Sequence, residues 1–231
     1  GEEITVQYFL FDDVLLPTQD RQDRLATFGF TCCCPRCQDP SSDGSLASIV
    51  CARNGSCSDG RHIAHRDGLM ACTSCGSAAP STAKADEKLH RDCVLELLQA
   101  PVPSTVDPIV QVVEGAQHCG LSPDHWIVCR ARDLLSLVYL RRDQHALAVA
   151  NIEPILTLQA AHGILDAQRL ELYADMLSRT QRLQEAFQQY GQALLICKQL
   201  SADLNTQSSA SCARLRAKLR RVLDGSPVGM E

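Results

Sequence analysis

From Ala83 onward glycine and proline are sparse apart from residues 101–108, and apolar side chains return every three or four positions, the period of a helix that buries one face. The pattern predicts seven helices, over residues 83–99, 106–118, 123–141, 145–162, 167–179, 183–200 and 208–223. The first 82 residues read differently. Ile4, Val6 and Tyr8 alternate with polar neighbours and predict a half-buried strand over residues 1–8, and Thr18 to Phe28 fits a short amphipathic helix with Leu25 and Phe28 on one face. Residues 38–50 and 76–82, rich in Ser, Pro, Gly and Asp, read as loops.

Two of the helical junctions look related. Leu137 to Leu147 ends Asp-Gln-His-Ala146-Leu, and Leu177 to Phe187 ends Leu-Gln-Glu-Ala186-Phe, which sets Ala146 and Ala186 forty residues apart. A small residue at such a place permits close helix approach, and a helix-pair period near forty points to a diverged tetratricopeptide-like array, whose usual unit is about 34 residues. Arrays of this kind present concave surfaces to protein partners. The plainer alternative is a helical bundle that buries its own core.

Thirteen cysteines are the abnormal count, and seven of them fall in two tight groups before residue 76. The first is CxCxxC, formed by Cys32, Cys34 and Cys37. Thiolates so close in sequence pair poorly as disulfides but can place three sulfurs about 2.3 Å from one zinc ion. Zinc requires a fourth donor, and Cys33 leaves the register open because it could stand in for Cys32. The second group is Cys51 and Cys57, then fourteen residues, then Cys72 and Cys75 followed by Gly76. Two short-spaced pairs joined by a loop make a complete four-sulfur site in a small ribbon, with Gly55 and Gly76 turning backbone amides toward the thiolates. His62 and His65 lie between the pairs; they read as exposed loop residues, with ligation as the alternative. Between residues 41 and 82 large apolar residues are scarce, so zinc is expected to supply folding free energy of about 10–16 kcal/mol in place of a core. The other six cysteines, Cys33, Cys93, Cys119, Cys129, Cys197 and Cys212, read as small packing residues.

Composition narrows the function classes. Of 231 residues 45% are hydrophobic and 21% charged, the balance of a globular chain and not of a disordered one. A net charge of −5 argues against direct nucleic-acid binding, which needs basic patches to neutralise phosphates. Arg214, Arg216, Lys218, Arg220 and Arg221 cluster near the end but read as a solvated helix face. No run of about 18 apolar residues occurs, so no membrane span is expected. Gly1-Glu2-Glu3-Ile4 lacks the basic and apolar regions of a secretory signal, and a cytoplasmic or nuclear location is expected. Because the chain enters an alternating segment at once from Gly1, it reads as a fragment. His118, His125, His145 and His162 have no ligand spacing and read as surface or core histidines.

The opening residues resemble the end of a SET domain running into its post-SET cysteines, in the branch of SET- and MYND-domain (SMYD) lysine methyltransferases. The matching string is Gly1-Glu2-Glu3-Ile4-Thr5 with Tyr8, then Leu15-Leu16-Pro17, Arg21 to Leu25, and Phe28-Gly29-Phe30-Thr31-Cys32 with Cys34 and Cys37. The second cysteine group and the helical remainder are similar to the later parts of that family. The resemblance implies a mainly α chain: the carboxyl-terminal end of a SET domain with a short β remnant over residues 1–31, a post-SET zinc turn over 32–40, a small zinc ribbon over 41–82, and a tetratricopeptide-like helical domain over 83–231.

It further implies that Tyr8 is the active-site tyrosine, that Phe28 lines the channel for the target lysine, and that Phe30 packs on the adenine of S-adenosylmethionine. Cys32, Cys34 and Cys37 take the post-SET zinc positions, and the family's fourth thiolate comes from an Asn-His-x-Cys motif that, like its glycine motif and MYND finger, is upstream of this segment. The expected function is then part of an S-adenosylmethionine-dependent methyltransferase acting on lysines of histones or other proteins, inactive as the segment alone. The alternative is a non-catalytic zinc-binding helical-repeat adaptor. A zinc hydrolase is disfavoured, since no HxxxH-type pair or carboxylate base accompanies the cysteines.

Overall fold

The computed structural model describes residues 15–39, 43–44, 46–51, 57, 60–64, 70–99, 105–163, 165–203 and 208–225. The strand expected over residues 1–8, with Tyr8, lies outside them. The fold is mainly helical with one small antiparallel sheet, and the chain divides into two compact units, Gly1–Arg132 and Asp133–Glu231.

The first unit opens with α1 (Thr18–Ala26) and the single turn α2 (Pro35–Gln38), followed by β1 (Ser48–Val50), β2 (Arg61–Ala64) and β3 (Met70–Cys72) in the order β1-β2-β3. Ile49 stands opposite His62, and His62 opposite Cys72. Strands this short cannot hold a sheet alone, and both outer edges are covered by further chain. On one side the loop Gly120–Ser122 runs beside β1, where Val50 N–H donates to Gly120 O (2.7 Å) and Ser122 N–H to Ser48 O (3.0 Å). On the other, Ala78 bridges Ala71 and Ser77 O accepts the N–H of Cys72 at 2.9 Å.

Helices α3 (Ala83–Gln99) and α4 (Asp107–His118) pack together, and α5 (Trp126–Arg141) follows, so the predicted boundaries hold within about three residues. Leu46, Ile109, Trp126 and Ile127 are fully buried here. A three-way polar joint fixes the start of this unit. Asp43 accepts from Thr18 N–H and pairs with Arg21 and Arg36, each at 3.4 Å, while both guanidinium groups also donate to Leu16 O. Arg21 is only 3% exposed, so its charge is compensated inside the protein.

In the second unit α6 (His145–Ala161), α7 (Ala167–Arg179), α8 (Leu183–Asp203) and α9 (Ser208–Leu223) pack each on the next in chain order. Asp166 caps α7 by accepting from the N–H groups of Gln168 (3.0 Å) and Arg169 (3.2 Å), which satisfies two of that helix's four unpaired donors. The core is mostly aliphatic, including Ile152, Leu156, Leu170, Met176, Leu177 and Leu215, with the buried rings of Tyr173 and Tyr190 among them.

Two helix corners repeat one backbone geometry, at a spacing that differs from the forty residues of the letter match. The corners after α5 and α7 share one geometry: Asp143 and Gln181 both adopt positive φ (57° and 63°), and the next residue's N–H reaches back to Tyr139 O (2.9 Å) and Leu177 O (3.0 Å) respectively. Equivalent residues are therefore 38 apart (143 to 181). The fully buried pair is Ala148 and Ala186, whereas Ala146 is exposed. The letter match of Ala146 with Ala186 was two residues out because it followed identities, not the buried face.

Of the basic cluster on α9, Arg214, Arg216, Arg220 and Arg221 are exposed as expected, and two members of the cluster also pair with acids. Arg214 grips Glu171 of α7 with two hydrogen bonds (2.8 and 2.9 Å), and Lys218 bonds both Glu171 and Asp175. Tyr190 of α8, fully buried, donates to Asp175, and its phenol is pushed far up by burial and by that carboxylate. Two of the five cations thus pair with acids of α7. Among the described residues no helix is long and apolar enough to cross a membrane.

Candidate metal centres

The structure gathers the cysteines into two clusters, Cys32 with Cys34 and Cys37, and Cys51 with Cys57, Cys72 and Cys75, the sulfurs of each lying within 4.8 Å of one another. All thirteen are free thiols.

Helix α1 holds the first cluster at both ends. Gln22 clamps the backbone of Cys32, donating to its carbonyl at 2.7 Å and accepting its N–H at 2.9 Å. One residue earlier, Arg21 donates to the sulfur of Cys37 at 3.6 Å. In the turn that follows α1, Gly29 takes φ +82°, a conformation that side-chain-bearing residues rarely adopt, and this swings the chain back toward the cysteines. Cys34-Pro35-Arg36-Cys37 then forms a tight knuckle in which Cys37 N–H and Gln38 N–H return to Cys34 O. Burial raises the Cys34 thiol, but amide donation from Cys37 and Arg36 and bonds from the neighbouring thiols outweigh it and bring it down; Cys37 is pushed up, chiefly by burial. Cys33 points away, exposed, with its sulfur toward Thr31 O at 3.7 Å, which settles the register in favour of Cys32.

The second cluster is complete in itself. Cys51 follows β1, Cys72 ends β3, and Cys72-Thr73-Ser74-Cys75 forms a second knuckle of the same design. The Cys72 thiol is brought down chiefly by the amide of Cys75, helped by that of Ser74. Sulfur separations are 3.9 Å for Cys51 to Cys75 and 3.5 Å for Cys57 to Cys72. A tetrahedron of sulfurs about 2.3 Å from zinc has edges of about 3.8 Å, so both distances fit a single zinc ion. Gly60 supplies the floor: a Cβ there would overlap the sulfurs of Cys57 and Cys72, and its carbonyl accepts the N–H of Cys51 at 2.8 Å. The thiols do not ionise alike. Cys57 is pushed up to about 12 by sharing a hydrogen bond with Cys72, while Cys75 comes down to about 6, chiefly because the hydroxyl of Ser77 donates to it.

Several sequence expectations change here. His62 is not an exposed loop residue; it is 2% exposed on the central strand, because a position opposite both Ile49 and Cys72 faces inward. His65 and Gly55 lie outside the described residues. Gly76 has φ +67° and shapes the knuckle turn as expected, but the glycine in contact with sulfur is Gly60, which spacing rules gave no reason to single out. Of the scattered cysteines, Cys129 and Cys212 are buried and Cys93, Cys119 and Cys197 partly so. Phe28 is 59% exposed in the turn after α1, and Phe30 is half-buried.

Both clusters are compatible with zinc, the first as three thiolates with one coordination position left for another donor, the second as four. No protein-family model matches the chain, and no curated protein matches it.

Proposed function

We propose that this chain is the carboxyl-terminal part of a SET-type protein-lysine methyltransferase whose post-SET centre is Cys32, Cys34 and Cys37. The observation that carries the reading is the three-thiol knuckle, clamped by Gln22 and Arg21 directly after Phe28-Gly29-Phe30. A tetrahedral zinc needs a fourth donor, and the reading assigns it to an Asn-His-x-Cys thiolate upstream. Residues 41–82 are then a zinc ribbon, and the helix pairs are a diverged tetratricopeptide-like array, a reading supported by the matched corners at Asp143 and Gln181.

S-adenosylmethionine supplies an electrophilic methyl group. In this reading Phe30 would meet the cofactor at its adenine, Phe28 would line the way in for the target lysine, and the Tyr8 hydroxyl would serve the transfer centre. The matched corners also favour a second reading, a zinc-stapled helical adaptor without catalysis.

The deciding experiment is methyl transfer from radiolabelled S-adenosylmethionine to histones and mixed cell proteins. A longer protein that includes the Asn-His-x-Cys motif should label lysine, the 231-residue chain alone should not, and Tyr8→Phe in the longer protein should abolish labelling. Unchanged labelling by that variant would remove Tyr8 from the chemistry, and no labelling by the longer protein would leave the adaptor.

A further inference from the structure

We propose that Ser77 is a working part of the second metal centre: its hydroxyl donates to the sulfur of Cys75, stands against that of Cys51, and so sets how tightly the four thiolates keep their metal. Ser77 Oγ lies 3.1 Å from Cys75 Sγ and 3.7 Å from Cys51 Sγ, so one hydroxyl spans an edge whose sulfurs come from opposite halves of the motif.

Its position is fixed by the sheet. The carbonyl of Ser77 accepts the N–H of Cys72 at 2.9 Å, and the next residue, Ala78, bridges Ala71. A side chain of two heavy atoms on so constrained a backbone has little freedom to leave the sulfurs. The location also matters. Cys51 and Cys72 are buried, whereas Cys57 and Cys75 are partly exposed, so water and competing chelators approach from the side that includes Cys75.

Four thiolates on one divalent ion carry a net charge of −2, and hydrogen bonds donated to sulfur disperse it. The amides of the knuckle serve Cys72; Ser77 serves the opposite edge. Outer partners of this kind typically change metal affinity about 10- to 100-fold when removed. The proposal rests on metal occupancy of the second centre and is independent of methyl transfer.

The test uses the whole 231-residue chain loaded with zinc, with release to a chromogenic chelator timed in wild type, Ser77→Ala and Ser77→Thr. A Cys72→Ser chain identifies the kinetic phase that belongs to the second centre. Ser77→Ala should release that zinc about 10- to 100-fold faster with helix content unchanged by circular dichroism. In cobalt(II)-loaded protein its thiolate-to-metal charge-transfer band should move to lower energy, because a sulfur without the hydrogen bond holds its electrons less tightly. Ser77→Thr should restore both properties. Wild-type release and an unshifted band in Ser77→Ala would overturn the proposal, and so would failure of Ser77→Thr to restore them, since the effect would then be packing. A wild-type chain with no phase sensitive to Cys72 would remove the centre itself, a failure distinct from one confined to Ser77.

Discussion

The α-carbon of Gly60 faces the sulfur of Cys72 with no room between them for a methyl group. The same is true on the side of Cys57, so this glycine is a wall of the four-sulfur site and not a loop spacer.

Gly60→Ala should therefore cost the chain one equivalent of zinc, measured by elemental analysis after gel filtration, while the helices of the second unit keep their circular dichroism. Undiminished zinc content in this variant would show that the four sulfurs do not share an ion.

Two mid-helix glycines should respond to different degrees. At Gly115 in α4 an added Cβ would stand 2.7 Å from the Cε1 tip of the His90 ring on α3, so Gly115→Ala requires that imidazole to turn aside and should gain less stability than the same change at Gly191. At Gly191 in α8 the same Cβ meets nothing within 4 Å, and alanine's helix preference should stabilise the second unit by about 0.5–1 kcal/mol, raising its Tm by about 2–8 °C. Trp126, the sole tryptophan and a residue of the first unit, lets fluorescence follow Gly115→Ala, while calorimetry follows Gly191→Ala.

Asp43→Ala removes the acceptor shared by Thr18, Arg21 and Arg36. A cation left buried without its partner typically costs about 3–5 kcal/mol, so the denaturant midpoint read from Trp126 should fall sharply. Arg21 also touches Cys37, and metal should leave the first centre more readily in this variant. An unchanged midpoint would mean that Leu16 O, Thr18 Oγ1 and Cys37 Sγ together satisfy Arg21.

Acid sensitivity of the second unit should trace to Glu171. Burial works to raise its carboxyl, yet hydrogen bonds from Arg214 and Lys218 outweigh it and hold the group below its ordinary value of 4.5. A depressed folded value means the contribution is complete above about pH 4.5 and is lost as pH falls through the folded value. Unfolding followed by circular dichroism should thus show stability dropping below about pH 4.5, and Glu171→Gln should be less stable at neutral pH with a flatter acid limb. Parallel acid limbs in the two proteins would place the sensitivity elsewhere.

Helix periodicity gave the helices from Ala83 onward to within about three residues, since amphipathic spacing such as that of Leu170, Tyr173, Ala174 and Leu177 depends only on which side faces the core. Cysteine spacing likewise gave both sulfur clusters, because a knuckle closes locally. What stayed hidden depends on contacts between distant segments. Gly60 meets Cys72 only once the sheet has formed, Asp43 meets Arg21 across 22 positions, and Arg214 meets Glu171 across 43. A one-dimensional pattern carries no term for such pairs, and a lone polar residue between cysteines reads the same whether it faces solvent or, like His62, the interior.

The corners at Asp143 and Gln181 have one more consequence. A segment excised or copied between these two bends would rejoin like with like, the same backbone bond closing the seam. Insertion or loss of a whole hairpin at this point demands no newly invented connection, so the length of the helical stack is the property most open to change as such a chain diverges.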